Sequence, residues 1–254
     1  IEKNPGVGGT WYENTYPGCR VDVGNHFYCY SFEPNLDWHE FFARQPELQR
    51  YFANTARKYG VAPQIRFDTE VQAAEFDEAS GEWRVRVRAK DGATATLRAR
   101  VLISGVGQLN RPKLPDIEGL GRFRGPAFHS ACWDHSVSLA GKRVAVIGTG
   151  ASAFQLVPEL AKEAAQVYTF QRTPQWMFPN PDYHRALSEG ARWCFRHLPC
   201  YGRWYRFLLF WPATDGTWEG TFVDPAWPDQ ERSINAINEF TREIRKSPNR
   251  LLFT

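Results

Sequence analysis

The stretch Lys142-Arg143-Val144-Ala145-Val146-Ile147-Gly148-Thr149-Gly150-Ala151-Ser152-Ala153 decides the fold. Residues 142–147 read as a buried strand, and two glycines follow at once. Beyond them Ala153, Leu156, Val157, Leu160, Ala161 and Ala164 recur at spacings of three and four, the apolar face of a helix. Strand, glycine turn and helix stand in the order that a phosphate site requires. Gly148 permits the tight turn, Gly150 lets a pyrophosphate approach the backbone, and Ala153 is small enough for helix and strand to pack closely. Thr149, Ala151 and Ser152 complete the turn, where free amides and the positive helix end favour an anion. Pro158 removes one helical hydrogen bond and predicts a bend.

Val167 to Phe170 reads as a second, parallel strand, and it ends Phe170-Gln171-Arg172-Thr173, about twenty residues past the turn. An NAD site carries an acid at this point to hold the ribose. Here Arg172 offers a guanidinium that pairs with a 2′-phosphate, and Thr173 adds a hydroxyl, so the sequence predicts NADPH rather than NADH. A glycine-bearing turn without a ligand is the plainer alternative.

Upstream, Pro46 stands at a first helical position, with Leu48, Phe52, Thr55, Ala56 and Tyr59 on one face and Gly60 closing the segment. Residues 64–76 read as a strand. Trp83, Val85, Val87 and Ala89 then alternate with Arg84, Arg86 and Arg88 up to Lys90-Asp91-Gly92, a hairpin with the arginines on its wet face. Val101 to Gly107 is an apolar run without alternation, as expected of a strand covered on both faces. Pro112, Pro115, Gly119 and Gly121 make Gln108–Gly121 an extended connector and a domain boundary. From Asp182 the chain is helical in pattern and rich in aromatics. Phe240–Lys246 continues as helix until Ser247-Pro248-Asn249 breaks it.

The 254 residues, 43% of them hydrophobic, suffice for one large domain or two ordinary ones. Thirty-one basic and 28 acidic residues leave a net charge of +3 with no basic block, which argues against a nucleic-acid partner. Ten Trp, ten Tyr and 18 Phe suit either core packing or a site for flat ligands. The five cysteines are odd in number and form no C-x-x-C pair. That pattern indicates neither a disulfide framework nor a metal site, and it fits a reduced, cytoplasmic setting. The apolar run Trp204–Pro212 is broken by Arg206 and falls short of the roughly 20 residues of a membrane span. It reads as a buried helical face, with a surface-lying membrane helix as the alternative.

Just ahead of the glycine turn, Phe123, Gly125, His129, Trp133 and Asp134 match FxGxxxHxxxW[P/D]. Near the start, Gly8-Gly9-Thr10-Trp11, Tyr16-Pro17-Gly18 and Asp22 match [A/G]GxWxxxx[F/Y]P[G/M]xxxD. The chain therefore resembles the Baeyer-Villiger monooxygenases. Gln108–Pro112, Gln171–Pro174 and Trp227–Ser233 are similar to the 4-hydroxyacetophenone monooxygenase subgroup.

The resemblance implies an α/β fold of two dinucleotide-binding Rossmann-like domains, one for FAD and one for NADP, with a helical insertion in the latter. The divisions are 1–110 for FAD, 111–141 as linker, and 142–254 for NADP with a helical subdomain over 182–254. It implies insertion of one oxygen atom of O2 beside a ketone carbonyl, aryl or cyclic, to give an ester or lactone. Glu2 would bond the adenosine ribose of FAD, with Gly9, Thr10 and Trp11 along the cofactor. Asp22 would stand near the flavin and position an active-site arginine, and Tyr28 and Tyr30 would line the neighbouring wall. Read without the family, Glu2 is an exposed acid, Asp22 a turn cap and both tyrosines core. His129 reads as an organiser of the connector rather than a proton donor, with Trp133 packing it and Asp134 bonding nearby amides.

The family's first glycine-rich turn would lie upstream of Ile1 and its catalytic arginine downstream of Thr254. These 254 residues are thus expected to be inactive alone and to bind FAD poorly. A flavin monooxygenase acting on nitrogen or sulfur lacks the Trp133-Asp134 ending and is the nearest rival. A module that only holds NADP is a second. A disulfide reductase is disfavoured, because Cys19 and Cys29 stand too far apart in sequence for a redox pair.

Overall fold

The computed structural model describes residues 1–175 and 180–214. The helix expected at 240–246, its break at 247–249 and the stretch from Trp227 lie outside the described residues. Two compact units form, one from residues 1–20 with 44–175 and one from 21–43 with the described residues beyond 180. The division drawn from sequence at 110 and 141 separates ligand roles instead, and it remains a proposal.

In the larger unit, α1 (Thr10–Glu13) is a single turn that buries Trp11. It packs on α2 (Gln45–Lys58), which has Pro46 in its first turn and buries Leu48, Tyr51 and Thr55. These three positions share one face at spacings of three and four. Tyr59, expected on that face, is exposed, because the helix ends at Lys58 and Tyr59 is its C-cap.

β1 (Thr69–Asp77), β2 (Glu82–Ala89) and β3 (Thr94–Ala99) form an antiparallel sheet in that order. Val85 and Val87 point inward, while Arg84, Arg86 and Arg88 face solvent as the alternation requires. Arg88 pairs with Glu70 at 2.9 Å and Arg98 with Glu82 at 2.7 Å. These solvated pairs set register more than stability.

β4 (Arg143–Ile147), α3 (Ala151–Leu160) and β5 (Gln166–Phe170) make one parallel β-α-β unit. α3 runs through Pro158, packs on β5 and buries Gln155, Leu156 and Leu160.

Two strand expectations are corrected. Val101–Gly107 forms no strand, and Val101, Ile103 and Val106 stand exposed, because no described strand pairs with their backbone. β4 forms where expected but is not buried on both faces. The parallel sheet has two described strands, and Ile147, Tyr168 and Phe170 remain exposed. The opening residues form bends, although Glu2 N–H donates to the Arg66 carbonyl and Thr69 N–H to that of Glu2.

In the smaller unit, Val21–Ala43 has no regular element and is shaped by hydrogen bonds. Fully buried Asn25 bridges it, Nδ2 donating to the Glu40 carbonyl and Oδ1 accepting from Ala43 N–H. Two helices follow, α4 (Glu189–His197), capped by Ser188 Oγ accepting from Ala191 N–H at 3.1 Å, and α5 (Tyr201–Thr214). No helix among the described residues is long and apolar enough to cross a membrane.

Candidate functional site

The turn between β4 and α3 is shaped as a cradle. Gly148 has φ of 107°, a conformation that L side chains rarely adopt, and its N–H donates to the Phe170 carbonyl at 2.9 Å. Gly150 caps α3 with φ −70° and ψ −177°, a geometry open to any residue, and no side chain caps the helix start. A Cβ at either glycine would meet no atom within 4 Å. The fold itself thus does not require a glycine at 150, whereas a ligand pressed against the backbone does.

Thr149 Oγ1 accepts from Gln171 Nε2 at 3.0 Å, which ties the turn to the end of β5. Ala151 opens α3 at the exposed lip of the turn, and Ser152 follows half-buried. Arg172 and Thr173 are exposed just beyond β5, and the Arg172 guanidinium makes no hydrogen bond or ion pair among the described residues. Open glycine backbone, an uncapped helix start and an uncommitted cation fit a dinucleotide carrying an extra phosphate.

The fingerprint residues lie in the same unit. His129 Nδ1 accepts from Ala131 N–H at 3.1 Å and opens a short 3-10 turn over 130–132. Trp133 stacks edge-on with Phe128, ring centroids 5.0 Å apart. Asp134 Oδ1 accepts from Ser136 Oγ at 2.6 Å and Ser136 N–H at 2.9 Å, and the hydroxyl bond chiefly holds its carboxyl below the usual carboxylate range. Phe123 is exposed, its ring folded over Gly125, where a Cβ would lie 2.7 Å from it. The next residue, His135, bonds Thr15 Oγ1 through Nε2 at 2.9 Å.

On the side assigned to FAD, Glu2 Oε1 accepts from Asn4 N–H at 2.8 Å. Gly9 precedes α1, Thr10 opens it exposed, and Trp11 turns inward, its carbonyl accepting from Gln45 Nε2. Burial pushes the Cys19 thiol up to about 11, partly offset by its hydrogen bond with Tyr16, and also raises that of Cys29. Both are protonated thiols at neutral pH, which is no state for a redox pair.

Asp22, Tyr28 and Tyr30 fall in the smaller unit. Asp22 is exposed with no bond among the described residues, Tyr28 is half-buried, and Tyr30 stacks on Phe32 with ring centroids 5.0 Å apart. The structure brings the remaining site residues into one unit but not these three.

Sequence reading missed two features. Gln155 accepts from Tyr16 Oη at 2.8 Å and brackets the main chain of Arg20, in the middle of a helix read only for its apolar face. A glutamine inside such a face was the available signal. Arg206, which was noted only for interrupting an apolar run, directs one nitrogen to the carbonyls of His26, Phe27 and Cys29 at 3.1, 2.9 and 3.1 Å. Beside it, His26 is 3% exposed and stacks on Phe195 at 4.0 Å, with neither ring nitrogen hydrogen-bonded among the described residues.

A profile of flavin-binding monooxygenase-like proteins matches residues 13–187, more than half of the chain, and the chain belongs to that family. Among its relatives is an uncharacterized monooxygenase, y4iD, of Sinorhizobium fredii, 41% identical over 96% of this chain and 37% of its own length. A Baeyer-Villiger monooxygenase of Streptomyces coelicolor is 43% identical over 83% of this chain and 39% of its own. A crystal structure of OTEMO in complex with FAD and NADP superposes with a TM-score of 0.69 at 37% identity, covering 77% of this chain and 38% of that one. The α/β fold is that of these flavin monooxygenases, and the chain spans less than two-fifths of the length of the relatives cited.

Proposed function

We propose that the protein is an FAD- and NADPH-dependent monooxygenase that inserts one oxygen atom of O2 beside a ketone carbonyl, giving an ester or lactone. Aryl or cyclic ketones are the substrate class. The observation that carries this reading is Gly150, a glycine that neither backbone nor packing demands, in the same unit as Arg172, whose guanidinium has no partner among the described residues. The five-residue fingerprint stands directly upstream, and relatives named as Baeyer-Villiger enzymes support the reaction.

Gly148–Ser152 would hold the pyrophosphate of NADPH, and Arg172 with Thr173 its 2′-phosphate. Glu2, Gly9, Thr10 and Trp11 would contact FAD, with Asp22 and Tyr28 beside the flavin. Bound together, the cofactors supply hydride and the activation of O2, while the protein orients them and keeps water out. His129, Trp133 and Asp134 shape the connector between two Rossmann-like domains rather than touch substrate. Placement in the 4-hydroxyacetophenone subgroup rests on Gln108–Pro112, Gln171–Pro174 and Trp227–Ser233.

The test supplies the intact protein with FAD, NADPH and air, together with an aryl ketone and a thioether. Ester formation matched to NADPH consumption supports the reading. Sulfoxide without ester assigns the protein to the nitrogen- and sulfur-oxygenating enzymes, and NADP binding without flavin reduction makes it a binding module.

A further inference from the structure

We infer that Gln155 is a positioning residue that sets the register of α3 against the Tyr16–Arg20 segment and thereby the delivery of hydride. The inference rests on the reading of α3 as the NADPH helix. Gln155 is 8% exposed, and a buried amide is costly unless its groups are matched. Here Oε1 accepts from Tyr16 Oη at 2.8 Å and Arg20 N–H at 3.3 Å, and Nε2 donates to the Arg20 carbonyl at 2.8 Å. The partners lie 135 and 139 residues away in sequence. Because the amide meets both an N–H and a C=O of one backbone residue, it fixes α3 in sliding as well as in distance. An apolar residue of the same size would fix only distance.

A second contact closes the same clamp. Gly18 has φ of 81°, and a Cβ there would fall 2.5 Å from the Gln155 carbonyl oxygen and 2.9 Å from Glu159 Cγ. The segment therefore touches α3 backbone to backbone, a spacing that no side-chain-bearing residue permits. Tyr16 and Cys19, each 7% exposed, wall the contact from solvent. The carboxyl of Glu159, one turn beyond, lies below its usual range mainly through Lys162, with Arg44 and Arg20 adding to the effect.

The clamp lies about one turn beyond the residues that would hold the pyrophosphate and shares no group with them. Releasing it shifts the helix while leaving the anion site whole. Binding and hydride delivery should therefore separate, since small misplacements are felt in the rate more than in affinity.

The experiment uses the intact flavin-loaded protein as Gln155→Leu, which removes all three bonds at similar volume, and Tyr16→Phe, which removes one. NADP⁺ affinity, FAD content, the rate of flavin reduction by NADPH and hydrogen exchange at the Arg20 amide are measured. In Gln155→Leu we expect NADP⁺ affinity within about threefold of wild type, unchanged FAD content, faster Arg20 exchange and reduction slower by about tenfold or more. Tyr16→Phe should stay within about threefold throughout. Wild-type reduction rates in Gln155→Leu, or parallel loss of FAD, NADP⁺ affinity and melting temperature, would overturn the inference and leave a plain structural brace. A wild-type protein that binds no NADP⁺ refutes the cofactor reading itself.

Discussion

His26 gives the smaller unit a built-in sensitivity to acid whose size follows from its surroundings. The ring is 3% exposed, stacked on Phe195 at 4.0 Å and edge-on to Tyr205 at 5.1 Å, and no group accepts from either nitrogen among the described residues. Arg206 bonds the carbonyl of the same residue and brings positive charge nearby. Burial lowers the imidazole from the ordinary 6.5 to about 4, so the folded state binds fewer protons than the unfolded one. Stability is full above about pH 6.5 and falls as pH drops toward 4, where the unfolded chain takes up the proton first. At about pH 5 the loss is on the order of 2 kcal/mol. Urea titrations at about pH 7.5 and about pH 5, followed by tryptophan fluorescence, should show this loss in wild type and about 2 kcal/mol less of it in His26→Phe, which keeps the flat ring. Equal pH dependence in both proteins would refute the reasoning.

The remaining predictions concern the cradle and its supports. Gly150→Ala should leave melting unchanged, because φ is −70° and the Cβ position is open, yet weaken NADP⁺ by about tenfold or more; a titration showing wild-type affinity would remove the ligand from this turn. Arg172→Ala should raise KM for NADPH by about tenfold and leave that for NADH within about twofold, and equal effects on the two would undo the 2′-phosphate assignment. Arg206→Met keeps the stem but takes a cation from three carbonyls, of which those of His26 and Phe27 keep a bond from Cys29, and should cost about 1–2 kcal/mol of unfolding free energy, checked by urea titration.

Features set by local pattern were legible in the chain. The β4-turn-α3-β5 unit, α2 and the β2–β3 hairpin follow from periodicity and turn chemistry, which act over a few residues. Val101–Gly107 was not legible, since an apolar run becomes a strand only beside a partner, and none of the described strands supplies one. Gln155 escaped for the converse reason. Its role depends on Tyr16 and Arg20, at a sequence distance no periodic reading covers. Within the proposed site, the glycine turn could be read because Gly148 acts through its own backbone, while the ligand roles of Gly150 and Arg172 are proposals. Asp22 and Tyr28 rest on resemblance alone, and the structure sets them in the other unit.

Arg206 grips residues 26–29 through three carbonyl oxygens, with a longer contact to the Cys29 sulfur at 3.4 Å and its guanidinium 5.0 Å from the centre of the Phe27 ring. The carbonyl bonds are blind to which side chains the loop carries, whereas the Phe27 ring is itself held, by Arg206 and by stacking on Phe210 at 5.6 Å. A library that randomises Tyr28 with Phe27 kept should therefore retain the loop's course in most members as long as residue 206 stays arginine.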